Sequence, residues 1–335
     1  MKTLILTADQ TDQAAQIIKK GGLVAMPTET VYGLAADAFN GEAVASIFKA
    51  KGRPMDNPLI VHISSLDQIG SIVREFPEKA RALAESFWPG PLTIILPKSD
   101  NIPIEVSAGL DTVAVRFPSH PVAKKLIAAS CPLAAPSANL SGSPSPTTAA
   151  HVISDMNGRI DAIIDGGDCL VGVESTVITL ACEPPRILRP GGITAEQIEK
   201  VIGHIEIDKA VTNPLEEGQQ AASPGMKYKH YSPKAEVILL DGDDEAFEKY
   251  INETGDDRTA ALCYNGQQDR LDCICLPIGE KGDYTAYAHN LFSSLREADE
   301  KGCTRVYAHC PETSGVGLAV YNRVIRAAGF KTVKL

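Results

Sequence analysis

The chain has 335 residues, of which 44% are hydrophobic and 22% charged. This balance excludes a disordered or fibrous protein and predicts about two domains. Its 32 basic residues face 42 acidic ones for a net charge of −10, and both halves are acidic, so neither is a nucleic-acid or membrane module by bulk charge.

The N-terminal part alternates short apolar runs with helical periods. Leu4–Leu6 reads as a strand, and Ala14, Ala15, Ile17 and Ile18 form one face of a helix that Gly21 and Gly22 stop. Leu23–Met26 is a second strand, Val44, Ile47 and Phe48 mark a second helix, and Leu59–Ile63 is again a strand. Pro77 opens a helix carrying Ala80, Leu83, Ala84 and Phe87, which Trp88-Pro89-Gly90-Pro91 breaks. Leu92–Leu96, Thr112–Arg116, Ala162–Asp165, Thr176–Leu180 and Ile187–Arg189 are further strands, and Thr194 with Gln197 caps a helix running to Ile202. These elements predict an α/β domain over residues 1–205. Residues 206–234 read as a linker, polar from Asn213 to Ser223 and acid-free from there to Glu236. Within it a basic arm, 223–233, carries Lys227, Lys229, His230 and Tyr231. It is either a spacer or a strap that folds over an anionic ligand.

A second alternation follows in residues 235–335. Val237–Leu240, Thr259–Cys263, Cys273–Leu276 and Arg305–Ala308 are strands, 285–301 and 315–328 are helices, and Val333 to Leu335 closes the chain. Strands separated by helices predict a smaller parallel α/β domain. It carries no GxGxxG and no P-loop, so a structural or clamping role is expected of it. The eight cysteines form no zinc pattern and suit a reducing compartment. No apolar run nears the roughly 18 residues that cross a bilayer, and Asp9 comes too early for a signal peptide. A cytoplasmic location is expected.

Familiar catalytic signatures are missing: there is no HExxH, GxSxG, GxxxxGK[ST] or CxxC. Three loops concentrate polar and backbone-shaping residues instead. Pro27-Thr28-Glu29-Thr30-Val31-Tyr32-Gly33-Leu34 leaves a strand at its carboxyl end, where open α/β sheets place ligands. Its Thr28 and Thr30 either contact a ligand or cap a short helix. Lys49-Ala50-Lys51-Gly52-Arg53-Pro54-Met55-Asp56-Asn57-Pro58 crowds Lys49, Lys51 and Arg53 into five residues. The cations either flank a phosphate, for which an Arg fork and a Lys point charge are suited, or solvate a helix C-terminus. His62, on the next strand, reads as a core histidine. Ala134-Ala135-Pro136-Ser137-Ala138-Asn139-Leu140-Ser141-Gly142-Ser143-Pro144-Ser145-Pro146 offers hydroxyls and backbone N–H groups to a phosphate or sugar, or is a flexible loop.

Together, and with Pro224-Gly225-Met226-Lys227-Tyr228-Lys229-His230-Tyr231-Ser232-Pro233, these segments resemble the threonylcarbamoyl-AMP synthases, the YrdC-like family, in its long two-domain form. The resemblance implies a YrdC-like twisted open sheet with flanking helices, followed by a Rossmann-like parallel α/β domain. It implies that ATP, L-threonine and bicarbonate or CO2 give L-threonylcarbamoyl-adenylate with release of diphosphate and water. The product would serve the modification of adenosine 37 of tRNA through separate transferase proteins. Carried over position by position, ATP contacts fall on Arg53, Asn57, Thr112, Ser137, Ser145, Arg189 and Tyr231, with Lys51 facing the phosphates beside Arg53. Threonine contacts fall on Thr30, His62, Arg116, the backbone at Ala135, and Ser175. Lys51 and Arg53 are the expected catalytic pair, with Mg²⁺ bound through the ATP phosphates rather than by a protein cage. A monomer is expected, and direct tRNA contact is left open. Two rivals remain: a non-catalytic double-stranded-RNA-binding module, and the carbamoyl-adenylate chemistry of hydrogenase maturation, whose proteins carry acylphosphatase and zinc-finger parts that this sequence lacks.

Overall fold

A computed structural model describes residues 2–214 and 231–335. The part of the basic arm that holds Lys227, Lys229 and His230 lies outside the described residues. In the first part β1 (Leu4–Thr7), α1 (Thr11–Lys19), β2 (Val24–Met26), β3 (Gly33–Asp37), α2 (Gly41–Lys51) and β4 (Ile60–His62) come first. Then follow α3 (Glu78–Phe87), β5 (Leu92–Pro97), α4 (Ile104–Ser107), β6 (Thr112–Arg116), α5 (Pro121–Ala129), β7 (Leu133–Ala134), α6 (Ala149–Met156) and β8 (Ala162–Asp165). The segment ends with β9 (Thr176–Thr179), β10 (Arg186–Arg189), α7 (Ala195–Ile202) and β11 (Glu206–Ile207). Its strands build a mixed sheet of eleven, in the order β1-β8-β2-β3-β7-β4-β6-β5-β9-β10-β11.

The second part comprises β12 (Glu236–Asp241), α8 (Asp244–Thr254), β13 (Thr259–Cys263), β14 (Ile274–Pro277), α9 (Tyr284–Glu300), β15 (Arg305–His309), α10 (Gly315–Ala327) and β16 (Thr332–Lys334). Its five strands run parallel in the order β14-β13-β15-β12-β16. Each sheet thus has the character expected from its sequence pattern.

Some elements escaped the sequence reading for local reasons. β3 is buried on both faces and opens inside the Pro27–Leu34 stretch, so no alternation marks it. β11 is two exposed residues that pair with Arg186 and Ile187 of β10, which carries the first sheet beyond residue 205 and into the expected linker. The helix read from Val44, Ile47 and Phe48 is α2. Asn40 caps it by accepting from the Ala43 N–H at 3.1 Å, and those three apolar side chains are buried. Gly52 ends it at φ +62°, a left-handed turn that sends Arg53 away from the helix axis.

Two large apolar clusters hold the molecule, one around the first sheet and one around the second. Val31 and Val173 belong to the first part by sequence but pack in the core of the second. Between the two parts, Arg296 on α9 is bidentate to Asp155 at 2.8 and 3.2 Å and donates to the Pro144 carbonyl at 2.6 Å. Ser232 links the same surfaces: its N–H donates to the Gly142 carbonyl at 2.9 Å and its hydroxyl to the Ala327 carbonyl at 2.8 Å.

Candidate active site

The three polar loops meet at one end of the first sheet because backbone bonds tie them. Leu34 N–H donates to the Pro136 carbonyl and Ala138 N–H to the Tyr32 carbonyl, both at 2.8 Å, and Ser141 N–H reaches the Lys51 carbonyl at 3.0 Å. They enclose a pocket of about 590 Å³ counted to its solvent mouth. Thr30, Arg53, His62, Arg116, Ala135, Ser137, Ser175, Arg189 and Tyr231, all expected from the sequence, line it.

One wall follows from strand periodicity. β4 and β6 run parallel with Ile60 opposite Ala114 and His62 opposite Arg116. Side chains two residues apart share a face, so Ile60 and His62 stand beside Ala114 and Arg116. Thr112 lies on that face too, half-buried at the start of β6 and away from the pocket lining. Continued two residues back, the register sets Thr112 level with Pro58, next to buried Asn57, whose carbonyl accepts from Arg53 Nη2 at 3.2 Å.

Arg116 is the centre of this wall. It is 4% exposed, donates through Nη1 to Thr30 Oγ1 at 2.9 Å, and places Nη2 2.8 Å from Glu29 Oε1. Burial alone would raise the Glu29 carboxyl, but the Arg116 charge and the Ser119 N–H hold it below the usual carboxylate range. Burial, with Arg116 adding to it, pushes the His62 imidazole down to about 3. Its Nδ1 lies 3.1 Å from the Ile60 carbonyl, and the Leu133 backbone also meets the ring.

The opposite wall is built around Ser175. Its hydroxyl is hydrogen-bonded to Thr93 Oγ1 at 2.8 Å and accepts from Arg189 Nη2 at 3.1 Å, while its carbonyl accepts from Arg189 Nε at 3.1 Å. Tyr231 closes the space from the second part, packed on Phe292 with ring centroids 5.3 Å apart. Burial and nearby Glu174 push its phenol upward, so it is a hydroxyl rather than a phenolate.

Four expected contacts are off the lining: Asn57 and Thr112, placed above, and Lys51 and Ser145. Lys51 does not line the pocket: its Nζ donates to the Ser137 carbonyl at 2.5 Å and the Asn139 carbonyl at 2.6 Å. Its amine grips the third loop here, and burial, with Arg53 adding to it, lowers its pKa well below the usual lysine range. Ser145 is also off the lining and donates its hydroxyl to Glu174.

Glu174 does line the pocket and was missed in the sequence, as was its partner Arg323 on α10, with Nε 2.7 Å from Glu174 Oε2. The available signal was a basic residue in the apolar run Leu318–Ile325. Among the described residues no group of three His, Cys, Asp or Glu side chains is placed to hold a metal ion. None of their helices is long and apolar enough to cross a membrane.

Comparison with known proteins fits this geometry. Residues 16–191 match the Sua5_yciO_yrdC family model, described as telomere recombination, and residues 193–329 match the model described as threonylcarbamoyl-AMP synthase, C-terminal domain. The chain belongs to the Sua5/YciO/YrdC family. A threonylcarbamoyl-AMP synthase of Pyrococcus abyssi is 48% identical over 96% of this chain and 95% of its own length. One from Bacillus subtilis is 46% identical over 97% and 94%. The crystal structure of P. abyssi Sua5 complexed with L-threonine superposes with a TM-score of 0.91 at 45% identity, covering 100% of both chains. As in those full-length Sua5/YciO/YrdC relatives, the second part is an integral portion of the chain, and here it supplies Tyr231 and Arg323 to the pocket region.

Proposed function

We propose that this protein is a threonylcarbamoyl-AMP synthase, joining L-threonine, bicarbonate or CO2, and ATP into L-threonylcarbamoyl-adenylate. The observation that carries this reading is the division of cations within one pocket. Arg116, with Thr30 and neutral His62, forms an amino-acid-sized wall, while Arg53 and Arg189 face the same space from other walls. An Arg fork beside a hydroxyl suits the carboxylate of threonine, and the remaining guanidiniums suit phosphate oxygens. The P. abyssi relative solved in complex with L-threonine supports threonine as a ligand.

The chemistry asks little proton transfer of the protein. The threonine amine adds to CO2, forming an N–C bond and losing its proton to solvent. A carbamate oxygen then attacks the α-phosphorus of ATP, the bond to the β-phosphate oxygen breaks, and diphosphate leaves. When bicarbonate supplies the carbon, water is released. Positioning and charge stabilisation by Arg53, Arg116 and Arg189 supply the rate enhancement. Glu174 on the pocket lining and Glu29 beside Arg116 are both engaged by arginines, so Mg²⁺ is proposed to arrive on the ATP phosphates and offset their charge there.

In this reading the protein works in the cytoplasm as a monomer. Its product is handed to proteins that modify tRNA adenosine 37. Diphosphate release that requires both threonine and bicarbonate tests the proposal; release independent of either would overturn it.

A further inference from the structure

The second part of the chain brings charge to the pocket wall through α10. Arg323 is fully buried in the middle of that helix. Its Nε lies 2.7 Å from Glu174 Oε2 and its Nη2 3.3 Å from the Glu174 carbonyl. Arg189 reaches the same backbone from the first sheet and takes the Ser175 carbonyl at 3.1 Å. Two guanidiniums, one from each part, therefore hold consecutive carbonyls, and the Glu174 carboxylate lies within the field of both. Burial opposes its charge, but Arg323, then Arg189 and the Ser145 hydroxyl, keep it ionised. Arg323 is itself fixed in place. Its Nη1 donates to Asn322 Oδ1 at 2.7 Å, Asn322 Nδ2 donates to the Val211 carbonyl at 2.7 Å, and its guanidinium lies 5.5 Å from the Tyr231 ring centroid.

We propose that Arg323 is a positioning residue for nucleotide binding: by holding Glu174, it keeps that carboxylate's charge from turning onto Arg189 and against the incoming phosphates. The inference rests on the reading that this pocket takes ATP. A buried carboxylate that loses its partner either takes up a proton or finds another cation. With Arg323 gone, Arg189 is the cation lining the pocket on the same strand end, one residue's carbonyl away. A Glu174–Arg189 pair would set a negative charge against the incoming phosphates. The damage would come from the charge of Glu174 and not from lost volume, so removing that charge in the same molecule should undo it.

The test uses the full chain and direct binding, so that it does not depend on turnover. ATP and threonine are titrated calorimetrically into the parent, Arg323→Met, Glu174→Gln and the double variant, with melting temperatures recorded alongside. Arg323→Met is expected to weaken ATP binding at least about tenfold while threonine binding shifts less than about threefold. The double variant is expected to bind ATP within about threefold of Glu174→Gln alone. Should Arg323→Met fail to fold, Arg323→Gln, which keeps donors for the Glu174 carbonyl without the charge, carries the same expectation. A double variant as weak as Arg323→Met, or an Arg323→Met that binds ATP like the parent, overturns the inference and leaves the functional reading standing. A parent chain that binds no ATP overturns both.

Discussion

Lys51 Nζ lies 2.5 Å from the Ser137 carbonyl, so the two cations of the Lys-x-Arg loop do different work: Lys51 fixes the hydroxyl-rich loop and Arg53 lines the pocket. An amine donor on two buried carbonyls contributes about 0.5–1.5 kcal/mol per hydrogen bond. Lys51→Met is therefore expected to lower the melting temperature and, by loosening Ser137, to cut diphosphate release about tenfold or more. Arg53→Met should cut turnover without a comparable loss of stability. An unchanged melt with abolished turnover in Lys51→Met would return Lys51 to a phosphate-contact role.

Arg116 bears on the amino-acid side. Arg116→Lys keeps a positive charge near Glu29 but loses the fork that reaches Glu29 and Thr30 together. The expected result is a raised KM for threonine with the KM for ATP little changed. Serine, lacking one methyl, should be used about 10–200-fold less efficiently than threonine. Equal efficiency for the two amino acids in competition would contradict the placement of this wall.

The legible portion of the site was the portion written in contiguous residues. Pro27–Leu34, Lys51–Asn57 and Ala135–Ser145 each hold their polar groups within one loop, and glycine and proline announce the turns. Glu174 and Arg323 form one ion pair across 149 residues of sequence, and neither neighbourhood is unusual by itself. Fold class was legible for a similar reason: strand and helix periods are local, whereas the order of eleven strands, with β8 between β1 and β2, is set by packing between distant segments. Lys51 shows the reverse failure. Its spacing beside Arg53 reads as one cluster, and only the turn at Gly52 separates the two directions.

Acid should act through buried imidazoles. His62 falls from an ordinary value of 6.5 to about 3 because burial and Arg116 oppose its charge. The unfolded chain therefore binds a proton between pH 6.5 and 3 that the folded chain refuses. The stability from His62 is fully present above pH 6.5 and lost as the pH falls toward 3. His151 and His309, each lowered to about 4 chiefly by burial, act in the same direction. Melting temperatures measured from pH 7 down to pH 4 should fall, and His62→Gln should fall less steeply. Equal slopes for the two proteins would remove His62 from the account.

Gly191 makes the sharpest steric prediction. A Cβ there would stand 2.3 Å from the Thr176 nitrogen, 2.6 Å from the Glu174 carbonyl oxygen and 2.6 Å from the Ser175 carbonyl carbon. All three are backbone atoms and cannot turn aside. Gly191→Ala is expected to displace the Glu174–Ser175 segment, lowering both the melting temperature and turnover. A variant with the parent's melt and rate would mean that this backbone shifts without consequence for the pocket.

Thr30 accepts from Arg116 on the amino-acid wall, while Val31, the next residue, is packed in the core of the second part. Consecutive α-carbons are about 3.8 Å apart, and the peptide between them is a rigid plate. Neighbouring residues thus answer to different masters, and the plate joins them like the leaf of a door to its frame. Drawing the second part away pulls Val31 from its socket and drags the threonine-side hydroxyl along with it. Separating the two parts would therefore reach the amino-acid wall directly, through that one peptide.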